Sequence, residues 1–278
     1  MPHQKRLFCE ISPMTYKISL GKEVLKRHLQ NLFSSKKLAK TKNAEKLPVL
    51  IQSHKSLVRR RLHNADQILQ ENKAVNLALS APKVTHILIQ PGETFSFWNL
   101  VGKQTAGKGY RPGLIIKNRR TDSGIGGGTC QFTNLVHWMV LHTDLEITEH
   151  HHHNQLDLFP DFKRQIPFGT GTSVMYNYLD YRFRNPTDKT YQLMVWVDDE
   201  YLCGEIRSTR PLDIKVHIRE EAAHFYFKDD DLFRHNKIYR KVIDKTTGDT
   251  IEDKMILENN SQVAYDISLV DPDLIKRD

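Results

Sequence analysis

The chain has 278 residues, with 41 Lys and Arg against 33 Asp and Glu, a formal charge of +8, 39% hydrophobic and 27% charged residues. This balance excludes disordered and fibrous classes and reads as a soluble globular protein, one large domain with attachments or two ordinary domains. No apolar run of about 18 residues occurs, so no transmembrane segment is expected, and Leu7-Phe8-Cys9 is too short for a secretory signal.

Val24, Leu25, Leu29 and Leu32 recur at helical spacing, which predicts a helix over 19–33. Residues 34–47 are polar and Lys-rich and read as a linker or an exposed helix end. Val58, Leu62, Ala65 and Leu69 predict a second helix over 55–79, ended at Ala81-Pro82. Val84 to Gln90 is β-branched and apolar and reads as a strand, followed by a Pro91-Gly92 turn. Glycines then cluster from 102 to 128, a loop-rich stretch of the kind that carries function. Gln131 to His142 returns to helical spacing.

Beyond Val174 the pattern is mostly strand. Tyr191, Leu193, Val195 and Val197 alternate with Gln192, Met194 and Trp196. Asp198-Asp199 turns the chain toward Leu202, Gly204 and Ile206. Ile214–Ile218, Lys237–Ile243 and Lys254–Leu257 continue the hairpins, with a turn at Thr247-Gly248-Asp249. The predicted class is α+β: a helical N-terminal region (1–82), a mixed domain (83–210) with an antiparallel sheet and a Gly-rich turn into a helix, and a β-rich extension (211–278).

Chemistry concentrates at Gly124–Gln131. The glycine turn delivers Cys130 to a helix start, where the dipole favours a thiolate. Glycine permits positive φ and close approach of a ligand. Free N–H groups of the turn would form an anion nest or oxyanion site. Gly126, Gly127, Gly128, Thr129 and Gln131 are therefore the candidate oxyanion and substrate-binding residues. No Gly-Lys-Ser/Thr follows, so this is not a phosphate loop. Cys9 and Cys203 read as small buried hydrophobes; three cysteines make no disulfide framework.

A nucleophilic cysteine needs a base, and the tract His150–His153 lies about twenty residues downstream. Four consecutive histidines cannot share one face of a regular element, so one or two face Cys130. Zinc would need three or four convergent ligands and ranks below nucleophilic catalysis; no metal and no cofactor is expected. His137 and His142 read as core or surface residues. Of the nearby acids Asp157, Asp161 and Asp180, the last sits on a predicted strand and is favoured to orient an imidazole, against an ordinary ion pair with Arg182 or Arg184.

These residues carry a resemblance. Ile89–Trp98, Val101-Gly102, Gly109-Tyr110, the Gly-Gly-Gly-Thr-Cys-Gln run ending at Gln131, Glu149–His153 and Pro167–Gly171 resemble the VanW family over roughly residues 84–208. That family is named for an accessory protein of glycopeptide-resistance clusters, and some wall-associated members pair the domain with L,D-transpeptidase activity. The resemblance implies Cys130 as nucleophile, His153 as the motif histidine with His152 as alternative, Asp180 as the later acid, and Glu93 as a structural residue. It implies acyl transfer or hydrolysis on peptidoglycan stem peptides or their precursor. The competing readings are a non-catalytic module that binds wall precursor or glycopeptide, and a nucleic-acid binder through Arg59–Arg61. No zinc-finger or RNA-recognition signature supports the last. The missing leader reads as cytoplasmic, with association to the cell envelope left open.

Overall fold

Ser12 starts the first helix. Its hydroxyl accepts from the Thr15 amide while the Thr15 hydroxyl accepts from the Ser12 amide, a reciprocal cap ahead of Pro13. In the computed structural model, which describes residues 7–59, 67–117, 120–152, 156–157, 160 and 165–276, helix α1 spans Pro13–Phe33. It is followed by β1 (Val49–Leu57), α2 (Gln67–Val84), β2 (Ile87–Ile89), β3 (Thr94–Ser96), α3 (Phe97–Val101), β4 (Pro112–Lys117), β5 (Arg120–Ile125) and α4 (Cys130–Val140). Then come β6 (Glu146–Glu149), β7 (Leu156–Asp157), β8 (Arg182–Arg184), β9 (Tyr191–Val197), β10 (Tyr201–Ser208), β11 (Ile214–Lys228), β12 (Asp231–Asp244) and β13 (Thr250–Val263). The class is α+β, as predicted.

The central sheet runs β1-β10-β9-β2, all antiparallel. The β9–β10 hairpin turns where Asp198 accepts from the amides of Glu200 and Tyr201. Helix α4 packs on this sheet, with Leu135 and Met139 against Gly204, where a Cβ would lie 2.6 Å from the Met139 methyl. Leu77, Ile87, Phe95, Phe97, Phe132, Leu135, Met139, Tyr181, Tyr191 and Leu193 form the core. Burial of such side chains is the main driving force for the fold. A second sheet, β11-β12-β13-β7, takes β7 as a parallel edge from the middle of the chain. Buried Arg234 of β12 meets Asp157 of β7 at 3.4 Å.

Three expectations are corrected. Residues 55–57, expected to begin the second helix, instead end β1: the chain pairs with β10 from Val49↔Ser208 to Leu57↔Tyr201, and sheet pairing overrides the weak helical spacing around Val58. Leu62 and Ala65 lie outside the described residues. The second helix also continues past Pro82 to Val84. Pro82 stands in its last turn, and the Thr85 amide still reaches the Ala81 carbonyl. The strand expected from Val84 is shortened to Ile87–Ile89. No helix among the described residues is long and apolar enough to cross a membrane.

Candidate functional site

The glycine turn is built by close backbone crossing. A Cβ on Gly127 would stand 2.1 Å from the Gly113 carbonyl oxygen, and one on Gly113 would stand 2.4 Å from that of Gly127. Gly126 and Gly128 take φ of +78° and +89°, a conformation glycine adopts without strain. Buried Asn76 of α2 ties the crossing down: its amide donates to the carbonyls of Arg111 and Gly127, and its oxygen accepts from the Arg111 amide. Gln104 and the Lys73 stem cover Gly126 and Gly128.

This construction consumes the groups expected to bind an anion. The Gly126, Gly127 and Gly128 amides donate to the carbonyls of Arg111, Gly124 and Leu114, and the Gln131 amide donates to Gly128. The Thr129 hydroxyl donates to the Gly126 carbonyl and bonds Gln104. The Gln131 side chain donates to Ser56 and to the Leu57 carbonyl on β1. The free-amide nest expected over 126–128 is therefore absent, because hairpin closure takes those N–H groups.

Cys130 is the first residue of α4 and is partly exposed. Its sulfur nonetheless lies inside the packing. Burial pushes the thiol above its ordinary value, opposed by hydrogen bonds to the sulfur from the backbone of Val174 and from its own backbone. The ground state is thus a protonated thiol rather than the thiolate expected from the helix dipole alone. Cys203 is buried, donates to Asp198 at 3.3 Å, and is pushed up to about 11, chiefly by burial.

The Cys130 face of α4 continues through Thr133, Asn134 and His137, at the helical spacings of three, four and seven. The segment after Phe168 lies along it. The Thr133 and Thr172 hydroxyls bond one another, and Asn134 accepts from the Thr172 amide at 2.6 Å. The His150 and His152 rings both donate to the Gly171 carbonyl, at 3.0 and 3.1 Å. His150 stacks on His137 with ring centroids 4.3 Å apart. His137 in turn meets the Tyr181 hydroxyl at 3.1 Å through Nδ1.

Burial holds both His137 and His150 below the ordinary histidine value, and neighbouring imidazoles add to the effect on each. With Nε2–H of His150 committed to a carbonyl, which only accepts, its Nδ1 is the basic nitrogen. His152 is engaged at its other nitrogen by Asn259, 2.7 Å away. Asn259 is oriented by donating to the Phe168 carbonyl and to Asn236, so the second sheet holds this end of the site. His153, the motif histidine, lies outside the described residues.

Among the described residues, Asp180 meets no imidazole. It accepts from the Ser96 hydroxyl, the Trp98 and Tyr181 amides and Arg182 Nε, the ion-pair alternative to an orienting role. The acid beside an imidazole is Glu149. It accepts from His151 at 3.0 Å, from the Asp180 amide, and from Arg27 of α1 through two bonds of 2.8 and 2.7 Å. These donors outweigh its burial, so its carboxyl lies below the ordinary range. Glu93 accepts from the Gln90 amide inside its own turn, consistent with a structural role.

Thr133, Asn134, His137, Thr172 and Val174 escaped the sequence reasoning. The signal for the first three was their spacing from Cys130 on one helix face; the loop residues carried none. Among the described residues, no group of three or more Cys, His, Asp or Glu is placed to hold a metal ion.

The triple-glycine turn sets Cys130 at a helix head, and the Gly169–Thr172 loop bonds both the following face of that helix and the rings of His150 and His152. The chain belongs to the VanW-like family. The family described as "VanW like protein" matches residues 72–207. The chain is 33% identical over 205 residues, 73% of its length and 74% of the relative's, to the vancomycin B-type resistance protein VanW of Enterococcus faecalis (strain ATCC 700802 / V583). It is 30% identical over 115 residues, 41% of its length and 36% of the relative's, to the uncharacterized protein YoaR of Bacillus subtilis (strain 168). No solved structure matches the chain.

Proposed function

We propose that this VanW-like chain is a cysteine-dependent acyltransferase or hydrolase of peptidoglycan stem peptides, of the L,D-transpeptidase type, acting in wall metabolism or glycopeptide resistance. The observation that carries the reading is Cys130 at the head of α4, with backbone hydrogen bonds directed at its sulfur and a polar helix face leading to the histidines. The name of the enterococcal relative, a vancomycin B-type resistance protein, adds support for a wall substrate.

The raised thiol and the neutral rings define the order of steps. A histidine of the 150–153 tract takes the thiol proton as sulfur attacks the stem-peptide carbonyl. His153 is the candidate by motif; His152, its alternative by alignment, has both ring nitrogens against acceptors, whereas His150 keeps Nδ1 uncommitted. Backbone donors at Val174 and the start of α4 hold the oxyanion, replacing the spent amides of Gly126–Gly128. The imidazolium then protonates the departing D-amino acid. A second amine releases the acyl group to give a cross-link, or water releases it to give carboxypeptidase action. Asp180 acts here by position only, fixing the loop that meets Glu149.

A raised thiol equally suits a non-catalytic module that binds precursor or glycopeptide in the same cleft. Release of D-amino acid from stem peptides separates the two. The enzyme reading expects Cys130→Ala to lower turnover about a thousandfold or more with peptide affinity retained. Binding by the wild type without any release identifies the binding module.

A further inference from the structure

We propose that α1 is an in-plane anchor that lays its outer face on an anionic lipid bilayer. The inference is independent of the chemistry at Cys130.

Helix α1 buries none of its 21 residues. Its inner side meets the body through Arg27 to Glu149 and the Tyr178 carbonyl, Asn31 to Arg182, Asn177 to the Val24 carbonyl, and the His28 ring set edge-on to Tyr176 with centroids 6.4 Å apart. Its outer side is apolar. Met14, Ile18, Leu25, Leu29 and Leu32 follow the four- and seven-residue spacing of one stripe and stay exposed, with Leu32 at 74% and Phe33 beside it at 81%. The stripe runs about 27 Å along the axis at 1.5 Å per residue. The preceding turn adds exposed Leu7, Phe8 and Ile11. An apolar face of this extent is not left bare in water without a partner.

Charge decides which partner. Lys17 borders the stripe on one edge and Lys22 and Lys26 on the other, while the single acid of the helix, Glu23, lies away from it. Two copies laid stripe to stripe would bring lysines against lysines. A bilayer with anionic headgroups accepts the same arrangement: acyl chains take the leucines, and the lysine stems reach up to phosphates. A net charge of +8 on the chain acts in the same direction. Because Arg27 grips Glu149, next to the histidine tract, the anchor ties that tract to the lipid surface.

The test is flotation of the full chain with phosphatidylglycerol–phosphatidylcholine vesicles and with pure phosphatidylcholine vesicles, alongside its mass in solution. The expected result is binding to the anionic vesicles that weakens with salt. Leu29→Glu with Phe33→Glu should abolish it while leaving the thermal midpoint unchanged, since both side chains are exposed. Lys22→Glu with Lys26→Glu should weaken it about fivefold or more for each lysine. The proposal is overturned if the chain ignores both vesicles, if the stripe variant binds like the wild type, or if the stripe instead drives a concentration-dependent dimer with no lipid binding.

Discussion

At the residue scale the fold sets the resting state of three groups, a thiol pushed up and two imidazoles pushed down. Thiol alkylation follows the thiolate. In a Cys9→Ser background, labelling of Cys130 by iodoacetamide should therefore rise only above pH 9.0, the reference for an unperturbed thiol. Labelling that is already complete near neutrality would mean a preformed thiolate. For His137 and His150 the sign runs the other way. The folded state holds both rings neutral, so their contribution to stability is present above the reference of 6.5 and is lost as the pH falls through the lowered folded values. Thermal midpoints should drop on acidification below that point, and His150→Gln should flatten the slope.

At the scale of elements, the glycine hairpin and the helix it starts are one rigid piece. Gly127→Ala forces a Cβ into the Gly113 backbone, which has no room to yield. The expected cost is about 3 kcal/mol in urea denaturation, with little change for Gly92→Ala beyond its own positive φ, since nothing lies near that position. Helix α1 is tied to the body by the Arg27–Glu149 ion pair, among other links. Arg27→Ala leaves Glu149 without its two-pronged partner and should cost about 2 kcal/mol, with faster proteolysis of residues 13–33.

This is also the scale at which the sequence was most and least legible. The triple glycine before Cys130 announced a turn into a helix because so few residues tolerate positive φ. The β9–β10 and β12–β13 hairpins were visible in their alternation and turn residues. Strand β1 was not, because its partner β10 lies some 150 residues away in sequence and long-range pairing leaves a weak local signature. The fate of the turn amides was likewise hidden, since the carbonyls of Arg111, just before β4, and Leu114 of β4, in a segment tied down by Asn76 of α2, take the Gly126 and Gly128 N–H groups. Asp180 was favoured as an orienting acid because it read as strand, but it precedes β8 (Arg182–Arg184). The Arg182 pair was the alternative legible nearby, whereas the donors Ser96 and Trp98, some eighty residues away, left no local signature.

At the scale of the whole molecule, Cys130 and its helix stand on the central sheet, and His152 is fastened to the second sheet. Asn259 of β13 fixes His152, and Gly169 approaches Asn259 too closely to carry a side chain. The C-terminal strands, which fall outside residues 72–207 of the family match, thus complete the site. Asn259→Leu, which removes the His152 acceptor and one of the two donors to the Phe168 carbonyl, should impair stem-peptide turnover while leaving the Cys130 alkylation profile in place.

The measurement that bears most directly on the role of Cys130 is intact-mass analysis of the chain incubated with tetrapeptide and pentapeptide stems, followed by mapping of the modified residue. An acyl adduct on Cys130, absent from Cys130→Ala and cleared by an added amine, is the predicted outcome. A wild-type chain that binds the stems yet stays at its unmodified mass, at every pH up to the range where the thiol ionises, would contradict covalent catalysis.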